Sequence, residues 1–303
     1  MDPELEAFIP FLAHVDLDDP VATRESLAER AAARPVPDVA GMEIEDRTVP
    51  ATPDVPVRIY RPREARGAVV WMHGGGWVFG DLDTEHLWAT LIAGASGAVV
   101  ISVDYRRAPE HRFPAALDDA HAVLTWTARN AAGLGVDPAR IAVGGHSSGA
   151  NLAAALALRA RDEQGPPIRF QLLNEATLDD RQRTWSQRTF TGTPWSTRDR
   201  VAAAWRYYLG SAPATPYAAP ARATDLSGLP PAYIATAEFD PNRDEDIDYA
   251  LRLLRAGVPV ELHQWPGTFH GSLAILSAEV SQRQIAELGA ALRRGLAGRG
   301  PFP

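Results

Sequence analysis

The chain has 303 residues, with 30 basic against 38 acidic side chains and a formal net charge of −8. That balance excludes nucleic acid as a partner, because phosphate binding needs a basic face, and it offers no attraction to anionic lipid. The absence of cysteine excludes disulfides, thiolate chemistry and cysteine-ligated zinc.

The opening Met1-Asp2-Pro3-Glu4 is acidic where a secretion signal would be basic, and no run approaches the roughly 20 apolar residues of a membrane span. The expectation is a cytoplasmic chain without membrane insertion. Residues 4–34 carry helical periodicity, with Leu5, Phe8, Ile9 and Leu12 on one face and a break at Asp19-Pro20. After Pro35-Val36-Pro37 come two strand-like runs, Met42–Val49 and the alternating Val55–Tyr60.

From Gly67 the pattern changes. Ala68–Met72 is a continuous apolar run, as expected of a strand buried on both faces. The same character returns at Ala98–Val103, Ile141–Val143, Phe170–Leu173 and Tyr233–Ala235, and a last alternating run covers Val258–His263. Helix-like segments at about 84–95, 115–132, 148–162, 243–256 and 278–296 separate them. This alternation predicts an α/β fold with a mostly parallel central sheet and helices on both faces. Residues 179–210, rich in charges and carrying Trp185, Trp195 and Trp205, interrupt the alternation and predict an insertion at one end of the sheet, as a lid.

Two glycine-rich stretches sit at strand ends. Gly145-His146-Ser147-Ser148-Gly149 matches G-x-S-x-G, with an apolar strand entering and the alanine-rich run Ala150–Leu158 leaving as a helix. That is the context of a nucleophile elbow, with Ser147 on a strained turn at a helix N-terminus. His73-Gly74-Gly75-Gly76-Trp77 directly follows the run 68–72. Its glycines let backbone N–H groups approach a developing oxyanion, and the donors are assigned to Gly74, Gly75 and the N–H of Ser148. A Walker loop is excluded, because no Lys-Ser/Thr pair follows. A dinucleotide fingerprint fails because Phe79 stands where the third glycine belongs.

The base is assigned to His270, in the Gly-flanked loop after the last strand. His73 and His146 are expected to shape the site without carrying protons, His263 to be structural, and His14, His86, His111 and His121 to have no part in a triad. The acid should fall between serine and histidine in chain order. Asp240, just past a buried run and before Pro241, is preferred over Glu238, Asp244, Glu245, Asp246 and Asp248. In this scheme Ser147 attacks the acyl carbon, His270 shuttles the proton and Asp240 fixes the imidazole tautomer. No metal or organic cofactor is needed. Activity is expected to fall as pH drops through about 6–7.

Together the stretches His73–Trp77, Asp104–Ala116, the elbow, Asp240-Pro241 with Arg243-Asp244-Glu245, and His270-Gly271 resemble the hormone-sensitive-lipase-like (bacterial family IV) esterases of the α/β-hydrolase superfamily. The resemblance covers about residues 55–275. It implies a helical cap built from the N-terminal helices (residues 1–40) and the insertion at about 179–210, over a catalytic domain spanning 41–303. It implies a carboxylic ester hydrolase acting on short to medium acyl esters through an acyl-enzyme, and family members that often pair into homodimers. The sequence departs from the family pattern at His146, at Asn242, at Ser272, and at Asn174-Glu175, where a proline-containing turn is usual. The substrate pocket is assigned to Trp77, His146, Trp195 and Trp205; the cap tryptophans Trp185, Trp195 and Trp205 either line an apolar alcohol or acyl pocket or pack the lid on the sheet. The same machinery also serves lactones, carbamates and amides, and the fold is shared with non-catalytic small-molecule receptors that have lost the histidine.

Overall fold

The computed structural model describes residues 1–12, 15–36 and 38–298. His14 and the end of the Pro35–Pro37 stretch lie outside the described residues. Strands β1 (Glu43–Val49), β2 (Val55–Arg61), β3 (Ala68–Met72), β4 (Val99–Val103), β5 (Ile141–His146), β6 (Phe170–Asn174), β7 (Ala232–Phe239) and β8 (Val260–Phe269) form one sheet. Their order is β1-β2-β4-β3-β5-β6-β7-β8. β1 and β2 pair antiparallel to each other, and β2 pairs antiparallel to β4. From β4 to β8 every pairing is parallel. The reason is connection length. A short turn can join only antiparallel neighbours, whereas parallel neighbours need a crossover, here helical.

The helices are α1 (Pro3–Glu6), α2 (Pro20–Ala32), α3 (Leu82–Ser96), α4 (Ala115–Arg129), α5 (Ser148–Asp162), α6 (Trp185–Thr189), α7 (Arg198–Leu209), α8 (Arg243–Arg255) and α9 (Glu279–Leu296). Alternate strand residues feed two cores. Val70, Ile101 and Val143 face α4, α5 and α8, while Val69, Val100 and Ala142 face α3 and α9. Every residue of β3, β4 and β6 is buried, which is why those strands read as unbroken apolar runs. The edge strand β1 is mostly exposed and carries charges, which discourages further pairing.

Three boundaries differ from the sequence reading. Among the described residues, the first 34 positions make only α1, a 3-10 turn at Ile9–Phe11 and α2, because Pro10 lacks the N–H a continuous helix needs. β5 and β7 run on to His146 and Phe239, held by their neighbours despite glycine and polar residues at their ends. β8 continues past His263 to Phe269, so His270 leaves directly from the sheet. Between β6 and β7 lie α6 and α7, within the stretch 179–210 read as an insertion, and beyond it a 3-10 turn at Pro220–Arg222. Among the described residues no helix is long and apolar enough to cross a membrane.

Candidate active site

Ser147 joins β5 to α5 with φ 55° and ψ −119°, a conformation that a residue with a side chain rarely adopts. The flanking glycines make the turn possible by close approach. A Cβ on Gly145 would lie 2.5 Å from the Met72 carbonyl oxygen, and one on Gly149 would lie 2.0 Å from the same atom. The Ser147 N–H donates to the Asn174 carbonyl at 2.9 Å, so the neighbouring strand fixes the turn.

Three strand ends then converge. The Ser147 hydroxyl lies 2.9 Å from His270 Nε2, and His270 Nδ1 lies 2.7 Å from Asp240 Oδ2. Asp240 is fully buried at the end of β7, and its other oxygen accepts the Asn242 N–H at 2.9 Å. With Nδ1–H donating to the carboxylate, Nε2 is free to accept the serine proton. Burial works to lower the His270 pKa, but the Asp240 carboxylate, backed by Glu175, outweighs it and raises it to about 9. The expected acid limb at 6–7 took no account of these carboxylates, which act to move it upward. Three of the rival acids are engaged elsewhere. Glu238 accepts the Gly267 N–H, Asp244 the Ser186 N–H and Glu245 the Leu178 N–H.

The glycine loop passes close against Ser147. A Cβ on Gly74 would meet His146 Cδ2 at 2.9 Å and Ser147 Cβ at 3.5 Å. Gly75 has φ +116°, open only to glycine without strain. Gly74, Gly75 and Gly76 line the main cavity, and Ser148 supplies the first N–H of α5, which has no helical acceptor. Behind the loop, the Tyr105 hydroxyl donates to the His73 carbonyl at 2.9 Å and Arg107 donates to the Gly80 carbonyl. The Asp104–Ala116 motif therefore clamps the loop from the rear.

His73 Nδ1 lies 2.8 Å from the Gly74 carbonyl, its ring stacks on Tyr105, and burial lowers its pKa to about 4. His146 Nδ1 lies 2.8 Å from Asn174 Nδ2, so that nitrogen must be the acceptor. Burial and the neighbouring His270 push His146 below its ordinary value. Both rings are therefore neutral and fixed; His146 borders the cavity, whereas His73 packs against Tyr105 away from it.

The cavity over Ser147 has a volume of about 740 Å³. Its lining includes Trp77, His146 and Trp195, together with Phe8, Leu27 and Val201 from the N-terminal segment and α7. Trp195 also packs on Gly271, 3.8 Å from where a Cβ would stand. Trp205 does not border the cavity; it packs behind Trp77 at 4.6 Å between ring centres. Trp185 is 55% exposed, under the Arg243 guanidinium. The tryptophans of residues 179–210 thus divide between cavity wall, core and surface.

Glu175, noticed in the sequence only as a departure, stands inside the site. Its Oε2 is 3.8 Å from both His270 Nδ1 and His146 Nε2. These three side chains bring metal-ligand atoms within 4.8 Å of one another. Both His270 nitrogens, however, already have partners in Ser147 and Asp240. A second such group, Glu261, His263 and Glu287, has both carboxylates paired to Arg294. Neither arrangement offers a cation an uncommitted ligand set.

A protein-family model described as alpha/beta hydrolase fold matches residues 69–274. The carboxylesterase NlhH of Mycobacterium tuberculosis is 44% identical over 271 residues, with 83% of each chain covered. The esterase LipI of the same species is 42% identical over 275 residues, covering 87% of this chain and 84% of its own. Among solved structures, a bacterial heroin esterase aligns with a TM-score of 0.93 at 42% identity, covering 98% of both chains.

Proposed function

The chain belongs to the hormone-sensitive-lipase-like esterases of the α/β-hydrolase superfamily and is a carboxylic ester hydrolase; we propose that Ser147, His270 and Asp240 are its catalytic triad and that Gly74, Gly75 and the Ser148 N–H are its oxyanion donors. The observation that carries this reading is the continuous chain of contacts, 2.9 Å from Ser147 to His270 and 2.7 Å from His270 to Asp240.

The reaction follows from that geometry. His270 Nε2 takes the hydroxyl proton as Ser147 Oγ bonds to the acyl carbon, and the carbonyl oxygen becomes an oxyanion facing the loop amides. Asp240 stabilises the imidazolium. Collapse of the tetrahedral intermediate breaks the carbon–oxygen bond, and His270 returns the proton to the leaving alcohol. Water, deprotonated by the same nitrogen, then attacks the acyl-enzyme, and the acid and free serine are released. No step calls on a metal or organic cofactor.

The substrate proposed is a small-molecule ester with a short to medium acyl chain. The N-terminal helices and α7 act as the cap over it, since both supply cavity wall. Lactones, carbamates and amides remain open to the same chemistry. The receptor alternative loses support from an intact, correctly placed His270. A cysteine-free composition suits a cytoplasmic enzyme, and the family's habit of pairing into homodimers is read by sedimentation velocity. The decisive test is Ser147→Ala on p-nitrophenyl esters, with kcat falling by about 10⁶ if the triad acts as a unit. Near-normal turnover would overturn the assignment.

A further inference from the structure

Glu175 leaves β6 at its C-terminal end with φ 49°, in the left-handed region, and is fully buried. Strain and burial of a carboxylate are both costly, and side chains held this way cluster where they serve a mechanism. Its N–H donates to the Ala235 carbonyl at 2.8 Å, which locks the turn between β6 and β7. Its Oε2 accepts the Gly271 N–H at 2.7 Å, the amide next to the base. The same oxygen lies 3.8 Å from His270 Nδ1 on one side and 3.8 Å from His146 Nε2 on the other. Its Oε1 is buried with no hydrogen-bond partner.

We propose that Glu175 is a positioning residue for the ester hydrolysis, holding the His270–Gly271 peptide in place while supplying a second carboxylate that raises the basicity of the imidazole. The inference rests on the triad reading above and deepens it. Asp240 holds Nδ1 directly; Glu175 adds charge 3.8 Å from the same nitrogen and anchors the backbone that carries the ring.

The groups facing Glu175 fix the sign. From β5 comes His146, which is held neutral. From the loop after β8 comes His270, the one group that becomes a cation during turnover. From the end of β7 comes Asp240, and from α8 comes Asp246 with Glu245 beside it, both buried acids raised well above their ordinary values, first by burial. Burial pushes Glu175 itself up to about 7, with His270 pulling it down and Asp240 pushing it up. An ionised Glu175 therefore favours the His270 cation, and that cation is its compensating partner.

The test compares pH profiles of kcat/KM on p-nitrophenyl butyrate for wild type, Glu175→Gln and Glu175→Ala. Glutamine keeps an oxygen for the Gly271 N–H and removes the charge, so the acid limb should move down by about one pH unit. Alanine removes the anchor too, and should lower kcat a further tenfold or more at the new optimum. A uniform loss at every pH, with the limb unmoved in Glu175→Gln, would show a merely structural role and overturn the proposal. Should alanine not fold, an NMR titration of His270 in Ser147→Ala, with and without Glu175→Gln, reads the same shift without turnover. If Ser147→Ala retains turnover, the triad reading has failed. If Ser147→Ala is inactive while Glu175→Gln leaves the limb in place, only the role of Glu175 has failed.

Discussion

Gly149, two residues after the nucleophile, sits so close to Met72 at the end of β3 that an added Cβ would stand 2.0 Å from the Met72 carbonyl oxygen. The contact brings the start of α5 against the strand whose end opens the glycine loop. The Ser147 turn and the proposed oxyanion loop are thus placed by one backbone–backbone approach. Gly149→Ala must push these elements apart, at a cost of about 3 kcal/mol in a core that cannot yield. The expected result is a lower midpoint in chemical denaturation, with loss of activity beyond what the unfolded fraction explains. Wild-type stability and kcat in that variant would show that the approach is not rigid.

The hydrogen bond between Asp240 and His270 sets the tautomer on which the proton transfer depends. Asp240→Asn leaves the shape intact but offers an N–H toward Nδ1, favouring the tautomer that turns a proton toward Ser147. By comparison with the same replacement in serine proteases, kcat should fall by about 10⁴ with KM little changed. A drop of only a few-fold would point to another acid, with Glu175 as the nearest.

Most of this site could be read before any coordinates, because its parts lie where strands end and glycines cluster. β3 and β4 are buried on both faces and announce themselves as apolar runs. Ser147, His270 and Asp240 each follow such a run or its continuation. What escaped was decided by tertiary neighbours. β5 and β7 run past their apolar residues because parallel partners hold the extra backbone, and nothing local encodes that. The tryptophans look alike in sequence, yet Trp205 stacks into the core and Trp185 faces solvent. Glu175 carried one usable signal, a charged residue directly after the fully apolar end of a central strand. Its partners, though, lie on other elements on both sides of it in sequence, the Gly271 N–H being 96 positions away.

The pH dependence follows from the electrostatics of His270. The base must be unprotonated to act, and its pKa is raised to about 9 by Asp240 and Glu175 against the opposing effect of burial. Below that value the imidazole is increasingly protonated and catalysis is lost; above it, the base is available. The kcat/KM profile should therefore rise through the alkaline range, with its acid limb above the roughly 6.5 of an ordinary histidine. A limb at or below that value would show that the two carboxylates do not act on the free enzyme as their distances indicate.

Glu85 gives a stability prediction of opposite character. It is buried beneath the sheet with Oε1 accepting the Trp71 indole N–H at 2.5 Å, and burial raises its pKa to about 7. For an acid, a folded value above the unfolded one means that the folded state holds the proton more tightly. Stability is then fully present below the unfolded value, near 4.5, and declines as pH rises toward 7. Glu85→Gln keeps an acceptor for Trp71 and removes the titration. It should raise the melting temperature at pH 8, by up to about 3 kcal/mol in free energy, and lose that gain at pH 4. An equal effect at both pH values would separate it from the ionisation.

The cavity sets the last expectation. Its volume of about 740 Å³ and its apolar wall of Phe8, Leu27, Trp88, Val201 and Leu273 can enclose an acyl chain well beyond acetyl. Each methylene buried there contributes about 0.8 kcal/mol, roughly a fourfold gain in kcat/KM, until the wall is reached. Across a p-nitrophenyl ester series, kcat/KM should climb from acetate to the medium chains and fall once the chain must leave the cavity. Val201, on α7, borders that space. Val201→Trp fills part of it without touching Ser147, so the optimum should move toward acetate and propionate while acetate turnover stays within a few-fold of wild type. If the optimum stays put while overall activity falls, α7 is not part of the acyl wall, and the chain lies toward the N-terminal segment instead.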